Sequence, residues 1–208
     1  MLETKKPVKR NRKKRAESSS DDRAADIYRV AAELIREKGF DATSMSEIAQ
    51  AVNLTKAGLY YYVPGKEELL NGIVRYGMET IEHGVVVPCQ AIEDPAQRLR
   101  EVVRRHTLLL TQIGGAITIL TDEINGLSPK HRRAIVAKKR SYLEFVRETL
   151  EILKLRGLLR ECTVGLLSMN IFSAILGVAR WYRPGGQFEG AEVADEVADF
   201  VMAAVLKA

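Results

Sequence analysis

The sequence predicts an all-α protein of about nine helices, a small N-terminal head of three helices followed by a larger C-terminal helical bundle. Three observations carry this. Apolar residues recur at helical spacing, as in Ile27, Ala31, Leu34 and Ile35. Several helix starts carry a capping residue, twice followed by proline at the first helical position, at Asp94-Pro95 and Ser128-Pro129. No stretch alternates apolar and polar side chains as a half-buried strand does.

The elements follow in order. Residues 1–20 hold Lys5, Lys6, Lys9, Arg10, Arg12, Lys13, Lys14 and Arg15 against Glu3 and Glu17. This arm lacks apolar periodicity, ends in Ser18-Ser19-Ser20 and is expected to be disordered. It carries +6, so the remainder of a chain of net charge +5 sums to −1. The first helix is expected to start near Asp21, capped by Ser20, and to stop at Gly39 in a left-handed turn. Ser44-Met45-Ser46-Glu47 is a capping box that opens a short helix, Met45 to Val52. Thr55 caps Lys56 to Tyr62, and after Pro64-Gly65 a long helix runs from Lys66 to about Gly84. A helix from Pro95 to Gln112 is followed by a kink or break at Gly114-Gly115, then Ala116–Asn125. Pro129 to Arg156 closes at Gly157, Glu161–Tyr182 stops at Pro184-Gly185-Gly186, and Gly190–Leu206 is last. The expected organisation is an arm over 1–20, a head over 21–66 and a body over 67–208.

Composition narrows the function classes. With 46% hydrophobic and 28% charged residues, the chain has enough apolar surface to fold rather than remain disordered. Cys89 and Cys162 are far apart with no neighbouring ligand residues, which favours two buried thiols over a disulfide or metal site. The basic N-terminus has no apolar stretch behind it, unlike a secretory leader, and a cytoplasmic location is expected. The apolar run Thr163–Ala179 contains Asn170 and two serines and falls short of the ~20 residues of a membrane span, so it reads as a buried helix. His106 and the pair Asp122-Glu123 have no partners at ligand spacing. No metal, no cofactor and no nucleophile–base constellation is implied, so an enzyme is not expected.

The stretch from Gly39 to Leu69, GFDATSMSEIAQAVNLTKAGLYYYVPGKEEL, resembles the helix-turn-helix head of the TetR family along its whole length. Its physical logic is legible without the name. Ile48, Ala49, Val52 and Leu54 make the inner face of a tight two-helix turn, and Leu59 packs back onto it. Short residues at the start of the second helix let the backbone approach a DNA major groove. The resemblance implies that Thr43 and Ser44 bind phosphate, that Thr55, Lys56, Ala57 and Gly58 face bases, that Tyr60, Tyr61 and Tyr62 grip backbone or thymine methyls, and that Lys66 holds a phosphate. The chain departs from the family pattern at Asn53, where glycine is usual and asparagine tolerates the left-handed conformation. It departs also at Tyr62, usually histidine, and at Val63, usually phenylalanine. The basic arm is expected to add salt-sensitive affinity for DNA without sequence specificity; the competing reading is a solubilising tail.

For the body, the resemblance implies a homodimer through the last two helices, bound to a palindromic double-stranded DNA operator. Arg180-Trp181-Tyr182-Arg183-Pro184-Gly185-Gly186 resembles the end of the corresponding helix in members that control lipid, sterol and aromatic-acid catabolism, many of which respond to acyl-CoA thioesters. Such an effector needs an apolar tunnel and cations for its phosphates. Leu109, Ile113, Ile117 and Leu120, with Leu108, Leu110 and Ile119, are candidates for the tunnel; Arg104, Arg105, His106 and Arg180 are candidates for the phosphates, with Trp181 beside them. Against this stands a plainer reading in which Trp181 and Tyr182 pack a dimer seam and Arg180 and Arg183 cap the helix end. The expected function is a ligand-responsive repressor. The alternative is an efflux-pump repressor responding to hydrophobic drugs.

Overall fold

A computed structural model describes the backbone of residues 10–122 and 126–207 and, within these, the side chains of all but 10–21, 114–118 and 120–122. The helices are α1 (Arg10–Lys38), α2 (Met45–Ala51), α3 (Lys56–Tyr62), α4 (Lys66–Ile81), a π-helical turn (Glu82–Val86), α5 (Val87–Gln90), α6 (Pro95–Asp122), α7 (Pro129–Leu155), α8 (Val164–Trp181) and α9 (Gly190–Val205). Because α4, the π turn and α5 form one continuous rod, the described residues make eight helical rods. They contain no strand, only an isolated bridge between Leu159 and Leu206.

Most signals for starts and stops hold. Ser44 and Glu47 complete the capping box, Thr55 accepts from Gly58 N–H and Ser128 from His131 N–H. The Asp94 carboxylate accepts from Gln97 N–H at 2.7 Å, directly before Pro95. Gly39 and Gly157 turn left-handed at φ 86° and 71°, and Asn53 takes the same region at φ 54°.

Four expectations are corrected. Helix α1 begins at Arg10, not near Asp21, so Ser20 lies inside the helix, and of the basic arm only the backbone of residues 1–9 lies outside the described residues. Absence of an apolar stripe says that a segment buries no face; it does not stop Arg, Lys, Ala and Glu from being good helix formers. The rod that begins at Lys66 continues past Gly84 to Gln90. Pro88 cannot donate to the helical ladder, and the chain accommodates it with a wider turn in which Val87 N–H bonds to Glu82 O. The expected kink in α6 is present, at Ile113 (φ −132°, ψ 35°) beside the two glycines. Helix α8 buries one face only, Val164, Ser168, Ile171, Ile175 and Val178, while Leu166 and Met169 are exposed. Both cysteines are free; Cys89 is buried, but Cys162 is only half-buried.

The core is continuous from head to body, running from Ile27, Ile48 and Leu59 through Leu69, Ile73 and Ile81 to Leu99, Val103 and Leu150. Helix α6 is the axle of the body and packs on α1, α4, α7, α8 and α9. Arg100 and Arg104 pair with Asp195 and Asp199 to bind it to α9. Helix α4 enters from the head, and its Gly72 lies beneath the Tyr28 ring of α1, where a Cβ would collide with ring carbons. Gly72→Ala is therefore expected to destabilise the protein by about 1–3 kcal/mol, despite alanine's better helix propensity. Urea unfolding followed by circular dichroism measures the difference, and an unchanged midpoint would refute the close fit.

Candidate nucleic-acid interface and effector region

The head is held rigidly from several sides. Arg23 of α1 donates to Val52 O at the end of α2 (2.6 Å). Ser44 Oγ accepts from Glu47 N–H, while the Glu47 carboxylate accepts from Ser44 N–H (2.9 Å) and from Lys38 Nζ (2.8 Å). The Lys38 hydrogen bond, with those from Ser44, holds the Glu47 carboxyl down to about 2. Between α2 and α3, Leu54 N–H bonds to Ala49 O, closing the turn that left-handed Asn53 makes possible.

What this scaffold leaves outside is a strip along α3. Thr55, Lys56, Ala57, Tyr60 and Tyr61 are exposed, Tyr61 at 83%, while Leu59 is fully buried beneath them. Ser44 is exposed at the start of α2. Gly58 is half-buried: its N–H serves the Thr55 cap at 3.0 Å, and a Cβ there would press on Thr55 Oγ1. Tyr62 is half-buried with its ring edge-on to Tyr61, centroids 5.2 Å apart. Val63 sits in the core at 1% exposure, so its smaller side chain is accommodated there.

Two expected phosphate contacts stand differently. Thr43 is fully buried and its hydroxyl donates to Gly39 O at 2.8 Å, so it fastens the α1–α2 turn and is not turned toward a phosphate. Lys66 Nζ donates to Asp41 O (3.1 Å) and lies 4.6 Å from the centre of the Phe40 ring, which leaves ammonium donors to spare while pinning α4 to the same turn.

In the body, the expected cations do not converge on one point. Arg104 turns to Asp195 and Arg105 to Glu101, while Arg180 and Trp181 are exposed at the end of α8. Arg183 Nη1 donates to Tyr182 O (2.8 Å) and Arg180 O (3.4 Å), the helix-capping role. Leu109 lies against Gly84 and Ile113 forms the kink; Leu110 and Ile119 are core residues, and the side chains of Ile117 and Leu120 lie outside the described residues. His106 is different. It is buried on α6 beside Tyr142 of α7 and Phe172 of α8, in a trio with centroids 5.2–6.2 Å apart. Its Nδ1 lies 3.1 Å from the Tyr142 hydroxyl. Its Nε2 and the neighbouring Thr107 hydroxyl are buried and have no hydrogen-bond partner among the described residues. Burial pushes the imidazole down to about 4 and the Tyr142 phenol up. Tyr142, Phe172 and Thr107 escape sequence reasoning, although Tyr142 sits in phase with Ile135, Val146 and Leu153 on the buried face of α7.

A capped helix-turn-helix with a solvent-facing recognition helix, set on an all-helical body, defines a DNA-binding regulator of transcription. Residues 27–73 match the family of bacterial regulatory proteins, tetR family, and residues 93–205 match the tetracyclin repressor-like C-terminal domain. The chain belongs to the TetR family. It is similar to AibR, solved in complex with isovaleryl coenzyme A and operator DNA: 33% identity over 86% of this chain and 97% of that one, TM-score 0.76. It is similar also to PfmR from Thermus thermophilus, at 29% identity over 85% and 97% of the two chains, TM-score 0.76. The transcriptional repressor KstR2 of Mycobacterium tuberculosis is 20% identical over 90% of this chain and 94% of its own.

The buried histidine has a pH signature. Its proton affinity is lower in the folded state than the ordinary 6.5, so the unfolded chain binds more protons between the two values and stability rises with pH there. Acidification from 6.5 to about 4 should therefore remove stability, and His106→Gln, which keeps a partner for Tyr142 but does not titrate, should flatten that part of the profile. Denaturant midpoints across this range test it; parallel profiles for the two proteins would contradict it.

Proposed function

We propose that this regulator is a homodimeric, cytoplasmic repressor that binds a palindromic operator and is released by an apolar effector, an acyl-CoA thioester. The observation that carries the DNA reading is the exposed strip Thr55, Lys56, Ala57, Tyr60 and Tyr61 on a helix whose opposite side is locked into the core. Ser44 and the spare donors of Lys66 flank it as phosphate contacts, with Gly58 and Tyr62 shaping the helix rather than reaching outward.

Dimerisation is supported by apolar side chains that one copy leaves in water on its last two helices: Leu166 (68%), Met169, Trp181 and Phe200 (68%). A second copy covers such a surface and supplies the second half-site reader. The thioester reading is supported by similarity to AibR and by the chemistry at His106. With the Tyr142 hydroxyl donating to Nδ1, the ring proton sits on the unpartnered Nε2, a buried donor suited to a carbonyl oxygen. Effector binding acts by favouring the head arrangement that does not fit the operator.

Three sets of measurements test this. Lys56→Ala and Tyr61→Ala should each weaken operator binding by about 1–3 kcal/mol, and the lysine change should lower the salt slope by about one unit. Release of operator by isovaleryl or longer thioesters, but not by free coenzyme A, would establish the effector class; release by hydrophobic drugs alone would move it to the efflux type. Phe200→Glu with Leu166→Glu should convert the protein to monomers in sedimentation, and a dimer that survives both changes would contradict the proposed seam.

A further inference from the structure

Between head and body lies a cavity of 340 Å³ with walls from three elements: α1, the stretch of α6 before its kink, and the end of α8. Arg29 and Arg36, on one face of α1, meet Arg183 across it, and Glu33 is the one acidic group among the described residues of the lining. The rest of the wall is apolar at Leu110 and Ala179 and hydrogen-bonding at Gln112 and Tyr182. The arginines are incompletely engaged. Arg29 makes a loose 3.6 Å contact with Asp26, Arg36 Nε pairs with Glu33, and Arg183 gives Nη1 to main-chain oxygens. A guanidinium has five N–H donors, so most remain for a ligand.

We propose that this cavity is a second effector site, taking a small phosphate-bearing anion with an apolar portion that tethers α1 of the head to the end of α8. Three forked cations against one carboxylate suit an anion with several acceptor oxygens, and phosphate oxygens match the fork geometry. The volume is at the small end of the roughly 300–1,000 Å³ of small-molecule sites. It excludes a whole CoA thioester but admits its phosphate end, or a free phosphorylated metabolite. Position gives the site its consequence. One wall belongs to the DNA-reading head, another to the body, and the third ends at Ile113, where α6 bends. A ligand spanning them binds one head orientation better than another, which is what coupling to operator affinity requires.

The inference rests on the operator-binding reading, and the experiment separates the two. The full-length chain is titrated calorimetrically with inorganic pyrophosphate and with free coenzyme A at constant ionic strength, beside an Arg36→Gln/Arg183→Gln variant. Wild type should show saturable binding, weakened about tenfold in the variant. Pyrophosphate binding as well as coenzyme A identifies a free phosphate anion as sufficient; binding of coenzyme A alone identifies its nucleotide end. No saturable binding of either, or equal binding by both proteins, overturns the site. The bound probe should also change operator affinity in wild type, short of release, and not in the variant, and binding without such a change overturns the effector role. Without probe, both proteins should hold the operator equally; failure of wild type to do so counts against the regulator reading instead.

Discussion

Helices α1 and α4 meet where the ring of Tyr28 rests on the bare backbone of Gly72, and the geometry of the molecule follows from that approach. Helix α4 belongs to both parts of the chain. Its first turns, with Leu69 and Leu70, complete the core beneath the helix-turn-helix; its later turns, with Ile73, Val74, Met78 and Ile81, enter the body. The two helices approach closely here, and Tyr76, its ring centroid 6.4 Å from that of Tyr28, extends the contact a turn further. The head is therefore carried on the body as an extension of the same packed core.

Polar groups in the head and the body are used differently. In the head nearly every one on the inner side is engaged: Thr43 with Gly39, Arg23 with Val52, Glu47 with Ser44 and Lys38, Lys66 with Asp41. Such satisfaction fixes one arrangement, which a reader of base edges needs. In the body, His106 Nε2 and the Thr107 hydroxyl, on successive residues of α6, are buried with no hydrogen-bond partner among the described residues. Leaving buried donors unsatisfied costs stability, and native proteins tolerate this chiefly where a site requires it.

Much of the head was legible because its signals are local. The capping box, the Thr55 cap and Asn53 in place of glycine each act within four or five residues of chain. Thr43 misled because a threonine beside a cap looks the same whether it faces solvent or the preceding carbonyls. The start of α1 was missed because the sequence of its first turns has no apolar stripe to read. The π turn did leave a trace: Ile73, Gly77, Ile81, Val85 and Cys89 are all buried at a constant spacing of four. At about 100° per residue that spacing drifts around an α-helix, and a wider turn brings it back into line. The proposed effector region was least legible. Whether Arg104 faces a ligand or Asp195 depends on α9, some ninety residues away, and no local pattern records that choice.

The bend at Ile113 divides α6 into unequal lengths, about 27 Å from Pro95 to the bend and about 14 Å beyond it. The short length leads into the connection where Gly126 lies against Leu70 and Phe40, at the shoulder of the head. The helix thus has the proportions of a crank with its fulcrum at the bend. The long arm is the one fastened to α9 by Arg100 and Arg104, and a rigid rotation about the bend would move the far end of the short arm about half as far, in the opposite direction. The end with the smaller reach is the one that leads to the head, at Leu70 and Phe40.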